Sequence, residues 1–366
     1  MRDFDVAVVG GGPAGATSAL KCSRSGLRTL LVEKRTTDRH KPCGGILPSV
    51  CIDILDDLAL KIPAEVMCSP PTIGLFYVPP SGRRNGGSVR NYRLLNVNRD
   101  RFDEWLRKAA EVSGATTLHR AEFVRFERNA DIQALIRVGT HTIRFSTRYL
   151  IGADGTFSTV RRLLYPSLGV DYLSILQERW VATGDFGEHF YAFFKGDITP
   201  TYGYVIPKNR NLIVGTAVPH RYHMPASDSI SRFKEWLRTE FAFNPMRLER
   251  RESAAIPYGS PLCGKENIIL VGDAAGFCNH FSGEGIRLAI ESGIAASEAV
   301  VEAESDHEPL SSSYARRVQS LAEFIQRTHE FAIGMTDDQR ERFVKSELDR
   351  ASLESFREQD VLSTES

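Results

Sequence analysis

The chain has 366 residues, 42% of them apolar and 25% charged, the make-up of an ordinary globular protein of about two domains. Its 46 basic and 46 acidic residues cancel, which excludes the cation excess of a general nucleic-acid binder and the one-sided charge of a disordered tail protein. The six cysteines (Cys22, Cys43, Cys51, Cys68, Cys263, Cys278) form no C-x-x-C pair and match no zinc or iron–sulfur spacing, so the expectation is a cytoplasmic protein without a metal.

In chain order, Phe4–Val9 reads as a buried parallel strand that begins at once, leaving no room for a signal peptide. A glycine-rich turn, a helix to about Ser25 and a second strand at Thr29–Val32 complete a β-turn-α-β unit. After residue 43 the pairs Pro70-Pro71, Pro79-Pro80 and Gly86-Gly87 predict loops and short strands. Residues 99–112 read as a helix and 132–151 as strands. Residues 172–220 alternate apolar and polar and predict antiparallel strands. A helix at about 228–243, a short buried strand at Ile268–Val271, a long helix from about Gly283 to Ala303 and further helical pattern follow. The predicted class is α/β: a discontinuous dinucleotide-binding domain (1–70, 96–168 and 262–305), an inserted antiparallel-sheet substrate domain (71–95 and 169–261) and a helical C-terminal region (306–366).

Gly10, Gly12 and Gly15 form G-x-G-x-x-G between a strand and a helix, with Pro13 and Ala14 inside the motif. The first glycine permits the tight turn, the second lets the backbone approach a pyrophosphate, and the third allows close helix–strand packing. Glu33, 18 residues after Gly15 at the end of the next strand, is placed to accept hydrogen bonds from ribose hydroxyls, with Lys34 beside it. This fingerprint alone does not separate FAD from NAD.

Two later stretches do. Residues 151–162 contain Gly152, Asp154 and Gly155, and residues 271–285 contain Gly272, Asp273, Gly283 and Gly285. In these the chain resembles the flavoproteins built like p-hydroxybenzoate hydroxylase, which carry a "DG" and a "GD" motif in this order. The resemblance implies FAD and a Rossmann-like domain of the glutathione reductase type. It implies that Asp154 stands beside the pyrophosphate, tying down local backbone or water, and that Asp273 binds the ribityl chain. It places Gly283, Gly285 and Ile286 at the flavin edge, and assigns Arg99 to the cofactor, a solvated arginine at a helix start being the alternative. The segment Lys41-Pro42-Cys43-Gly44-Gly45 is similar to one in geranylgeranyl reductases, which also carry P-x-x-Y-x-W-x-F-P; here Pro200, Tyr202, Tyr204 and Pro207 depart slightly from that spacing, with Tyr204 in place of the tryptophan. Residues 96–106 and 149–166 look like the CbrA-like bacterial branch of that family.

The resemblance implies a reductase that saturates a prenyl C=C by hydride from the flavin N5. Cys43, with Gly44 and Gly45, is the candidate catalytic segment, the thiol acting as proton donor or relay; a small buried residue between flexible neighbours is the alternative. Tyr202 and Tyr204 line an apolar substrate channel or are ordinary sheet aromatics, and His280 is a proton relay or a structural hydrogen-bonder. The same scaffold hosts FAD monooxygenases and halogenases, acting on a small aromatic or lipid substrate. With no second glycine fingerprint, the reductant (NAD(P)H or a small redox protein) must dock transiently. Residues 83–101 and 21–41 are locally basic and 337–366 acidic, so an anionic lipid stays open as substrate. A stripe of Leu310, Tyr314, Leu321, Phe324, Ile325 and Phe331 is able to rest on a membrane surface or on the protein's own core.

Overall fold

A computed structural model describes residues 2–36, 40–306, 308–332 and 335–349. The chain divides into two compact units: Met1–His40, Asp100–Val170 and Pro257–Gln326 form the first, and Lys41–Arg99, Asp171–Ile256 and Arg327–Ser366 the second. Residues 41–70, placed with the dinucleotide domain from sequence, thus belong to the second unit. The C-terminal region forms no part of its own but is shared between the two.

The first unit is built on a sheet whose neighbours run Gly264–Lys265, Ile268–Leu270, His141–Gly152, Phe4–Val9, Thr29–Glu33 and Thr116–His119. Phe4–Val9 is parallel to both of its neighbours, and His141–Gly152 is parallel to Ile268–Leu270. At their centres these strands are buried apolar runs: Val6–Val9, Leu30–Val32, Tyr149–Ile151 and Ile268–Leu270. Ala121–Arg128 and Ile132–Val138 extend the sheet as an antiparallel pair. The helix Pro13–Arg24 packs on Ile286–Asp306 through small residues: Ser18 donates to the Gly293 carbonyl at 3.2 Å, and a Cβ on Gly293 would press on Ala14. The C-terminal stripe is interrupted at Val318, giving helices Leu310–Arg317 and Gln319–Ala332. Leu310, Tyr314, Leu321, Phe324 and Ile325 are buried, so this stripe packs on the protein and is not a membrane face. The Phe331 side chain and residues 350–366 of the acidic tail lie outside the described residues. Among the described residues, no helix is long and apolar enough to cross a membrane.

The second unit holds a sheet in the order Asn244–Pro257, Tyr172–Thr183, Asn211–Pro219, Gly203–Lys208, His189–Phe193, Met67–Val78, Leu94–Val97 and Ile46–Pro48. It is mostly antiparallel as expected, but His189–Phe193 runs parallel to Met67–Val78. Where Pro70-Pro71 and Pro79-Pro80 predict loops and short strands, Met67–Val78 is a strand of 12 residues. Pro70 and Pro71 fall where its pairing with Leu94–Val97 shifts register, between Met67 and Thr72, the kind of irregularity where a strand tolerates proline. In the same stretch after residue 43, expected to hold loops and short strands, Val50–Asp57 is a helix. One face of the sheet packs Val78, Phe193, Val205 and Val214 against Phe233, Leu237 and Phe241 of the helix Ala226–Phe241. Their spacing gives that helix its single apolar stripe. The opposite face carries the rows Gln177–Gly215–Tyr204–Ala192–Tyr77 and Ile213–Ile206.

Candidate functional site

The first unit gathers its three motifs by register. Val9 lies opposite Gly152 and Gly152 opposite Leu270, so the turns at Gly10–Gly15, Ala153–Gly155 and Val271–Asp273 leave one carboxyl edge of the parallel strands side by side. Main-chain bonds lock them there: Ala153 N–H donates to Val9 at 2.8 Å and Val271 N–H to Gly152 at 2.9 Å. In open α/β sheets this edge is where ligands bind. Gly10 has φ +107, and a Cβ on it would collide with the Ala153 carbonyl; one on Gly15 would collide with the Gly10 carbonyl. These two glycines are therefore required for turn closure and helix packing, whether or not a ligand is present.

What the turn offers a ligand is donors. The helix Pro13–Arg24 opens on an extended, buried Gly12 with no side-chain cap, and Pro13 occupies its first turn. A buried helix start with uncapped N–H groups is satisfied from outside the helix, and its dipole favours an anion. This fits the pyrophosphate of a dinucleotide. Glu33 is buried and its carboxylate already accepts Gly11 N–H at 2.8 Å and Arg35 N–H at 2.9 Å. A carboxylate accepts hydrogen bonds through both oxygens, the chemistry that ribose hydroxyls require. Lys34 is exposed.

Asp154 turns inward on its own segment. It accepts the Ser158 hydroxyl, Thr159 N–H at 2.7 Å and Val160 N–H at 3.2 Å, and so seats the helix Thr159–Leu164. Burial pushes its carboxyl upward against those bonds. Asp273 opens the short helix Gly272–Ala275, where Gly272 (φ +55) donates to Ser292 at 3.0 Å. The Asn279–Gly285 turn clamps itself: Asn279 accepts Phe281 and Ser282 N–H on its side chain and Gly283 N–H on its carbonyl. The long helix then starts at Ile286, with Gly283 and Gly285 in the turn ahead of it. His280 is buried and accepts Gly259 N–H at 3.3 Å, the structural-bonding alternative.

Two buried arginines went unnoticed in the sequence. Arg107 donates to the Gly11 carbonyl at 3.1 Å, bracing the glycine turn. It lies one turn beyond Asp103 on the buried face of helix Arg99–Val112, and a charged pair within a buried stripe was the available signal. Arg161 donates to the carbonyls of Thr156, Ala274 at 2.9 Å and Asp273 at 3.4 Å, joining the two aspartate motifs. Nothing in the sequence distinguishes it from its exposed neighbour Arg162.

In the second unit the Lys41–Gly45 strap crosses the sheet face that bears Tyr204, Ile206 and Lys208. A Cβ on Gly44 would stand 2.6 Å from Ile206 Cδ1, and Gly45 N–H donates to Cys43 Sγ at 3.3 Å. Cys43 is half-buried. Tyr204 lies flat over Gly215, donating its hydroxyl to Gln177 at 3.0 Å, and stacks on Phe190 with ring centres 6.2 Å apart. Burial holds its phenol well above the usual range. Tyr202 extends this aromatic layer through Phe194 to Tyr77, and Phe343 of the helix Asp337–Asp349 packs on both Tyr77 and Phe194. Arg99 belongs to this unit, buried, with its stem close to Gly45. The basic stretch around it is partly neutralised, since Arg83 pairs with Asp185 at 2.7 Å.

Residues 3–327 match the family model of an FAD binding domain. The chain belongs to that FAD-binding family. Protein CbrA of Escherichia coli O9:H4 (strain HS) is 31% identical over 306 residues, covering 80% of each chain. In fold, the chain is similar to a geranylgeranyl bacteriochlorophyll reductase-like protein from Thermoplasma acidophilum (TM-score 0.82, 23% identity, 95% of this chain and 92% of that one). It is also similar to p-nitrophenol 4-monooxygenase PnpA from Pseudomonas putida DLL-E4 (TM-score 0.70, 15% identity, 94% and 93%). The family resemblance read from the three flavin motifs and the Lys41–Gly45 segment is thereby met. The α/β flavoprotein fold is met as well, and the chain is an FAD-binding protein by family.

Proposed function

We propose that this flavoprotein reduces carbon–carbon double bonds of an isoprenoid lipid. The observation that carries the reading is the Cys43 strap, laid over an aromatic and aliphatic sheet face of Tyr204, Ile206 and Phe190. In this reading the Gly10–Gly15 turn frames the pyrophosphate: Gly12, Ala14 and Gly15 present main-chain N–H groups to it, Gly10, whose own N–H donates to Val32, closes the turn, and Pro13, which has no N–H, opens the helix. Glu33 and Lys34 serve the ribose, Asp273 beside Gly272 the ribityl chain, and Gly283, Gly285 and Ile286 the flavin edge. Asp154 and Arg161 hold the turns that carry these groups. Bound and reduced, the flavin supplies a hydride to one alkene carbon.

Cys43 supplies the proton to the other carbon. The Gly45 N–H at its sulfur fixes the direction of the thiol and eases the negative charge that proton donation leaves behind. Tyr202, Tyr204 and Phe190 give an apolar chain a flat surface and exclude water from it. NAD(P)H or a small redox protein serves as transient reductant.

Product analysis with and without oxygen tests the proposal. Anaerobic, dithionite-reduced, FAD-loaded protein incubated with prenyl lipids is expected to add one H2 per reacting double bond. A hydroxylated or halogenated product that forms only with oxygen would replace this reading with a monooxygenase or halogenase. Cys43→Ala is expected to keep FAD and lose reduction by about 100-fold, the scale of a general acid.

A further inference from the structure

Lys208 is 3% exposed. A buried ammonium is costly unless it is bonded. Its Nζ donates to the Val97 carbonyl at 2.7 Å and lies 3.5 Å from the Gly45 carbonyl, with the Cys68 side chain in hydrogen-bonding reach. These carbonyls mark the seam where the Lys41–Gly45 strap enters the sheet: Val97 N–H donates to Gly45 at 2.8 Å, and Ile46 pairs opposite Asn96. Gly45 has φ +66, and a Cβ there would collide with the Val97 carbonyl and stand 2.8 Å from Nζ. The bare Cα of Gly45 is what makes room for the ammonium. The same glycine's N–H holds the Cys43 sulfur, so the turn gripped by Lys208 is the turn that aims the thiol.

We propose that Lys208 is a positioning residue: its ammonium ties the Gly45 and Val97 carbonyls together and thereby fixes Cys43 on the aromatic face of the sheet. The placement of the strap stands on geometry alone; the catalytic use of Cys43 rests on the reductase reading above. The groups facing the amine are Cys43 of the strap, Cys68 of the strand Met67–Val78, Arg179 of the strand Tyr172–Thr183 and the Arg99 stem beside Gly45. Burial, helped by Arg179, lowers its pKa to about 8 against the pull of the two cysteines. The grip therefore weakens within an accessible pH range.

Hydrogen exchange on the full-length, FAD-loaded protein tests this, read in peptides covering residues 41–48 and 94–98, with 132–138 as control. Lys208→Met is expected to speed exchange in the first two about tenfold, the scale of one hydrogen bond to a charged group, and to leave the control unchanged. Lys208→Arg is expected to restore protection. In the wild type, after correction for intrinsic exchange, the same loosening is expected as pH rises through about 8, and to be absent in Lys208→Arg, whose charge persists. Wild-type protection of 41–48 in an FAD-retaining Lys208→Met protein would overturn the proposal. Should that variant not fold, wild-type protection of 41–48 in a folded Lys208→Gln protein, whose shorter, uncharged side chain does not tie the two carbonyls, would overturn it instead. A loosened strap in a protein that reduces no prenyl lipid would overturn only the reductase reading.

Discussion

The two candidate regions are built by opposite means. In the first unit the ligand edge is set by backbone: glycines that admit no Cβ, an uncapped helix start, and carbonyls pinned by Arg107 and Arg161. In the second, the corresponding surface is set by side chains: Lys208 grips the strap, Tyr204 reaches across Gly215 to Gln177, and Gln177 donates to Glu252 at 2.8 Å. A backbone-defined edge suits a ligand that is the same throughout a family. A side-chain-defined face can change its occupant by single substitutions without disturbing the cofactor region.

The harshest test of the backbone region is Gly10→Ala. The added Cβ meets the Ala153 carbonyl, which cannot move without breaking its strand-end pairing, and φ +107 is itself unfavourable for alanine. The expected result is loss of most bound FAD, read as visible flavin absorbance per protein, with about 1–3 kcal/mol of stability lost to overpacking. Full FAD occupancy in this variant would show that side chains, not the turn, hold the cofactor.

The backbone region was also the legible one. G-x-G-x-x-G, Glu33 and the two aspartate motifs are spaced by strand and turn geometry, and such geometry leaves a mark in the sequence as glycine. The side-chain region left less. Lys208 looks like any strand-end lysine until the strap lies over it, and Pro70-Pro71 disguised a strand that tolerates them at a register shift. The unit boundary was displaced for the same reason: residues 41–70 carry no period that tells which sheet they join, and it is the pairing of Ile46–Pro48 and of Met67 with Leu94–Val97 that joins them to the second unit. Arg107 and Arg161 are long-range braces, whose partners are separated from them in sequence or are bare carbonyls.

An intermediate effect is expected on the far face of the second unit's sheet. Glu178 is fully buried and bonded to Lys234 at 2.8 Å, Arg251 at 2.6 Å and the Trp180 indole at 2.8 Å. Burial works to raise its pKa, but those bonds outweigh it and hold the carboxyl below its ordinary value. A depressed carboxylate contributes stability above its unfolded pKa of about 4.3, and that contribution disappears as pH falls through the lower folded value. Glu178→Gln is therefore expected to flatten the acid limb of the stability–pH curve, and Glu178→Ala to cost about 3 kcal/mol at neutral pH, the lower end for a broken buried pair because Arg251 is 55% exposed. Urea unfolding at neutral and acid pH reads both. An unchanged acid limb in Glu178→Gln would assign acid sensitivity elsewhere.

The subtlest prediction bears on the comparison directly. Gly215→Ala places a methyl under the Tyr204 ring, whose hydroxyl and ζ carbon occupy that space. The ring must lift toward Phe190, and its bond to Gln177 is lost. If the two regions are independent, FAD content stays at the wild-type level while KM for an apolar substrate rises several-fold and kcat changes less, because the surface that seats the substrate is altered and the chemistry is not. Tyr204→Phe separates the causes: it keeps the ring in place and removes only the hydroxyl bond, at about 1 kcal/mol, so its KM should stay near wild type. Equal KM increases in both variants would make the hydroxyl, and not the shape of the ring, the specificity element. Loss of FAD in Gly215→Ala would show that the two regions are coupled after all, and that the division between a backbone-built cofactor edge and a side-chain-built substrate face does not hold.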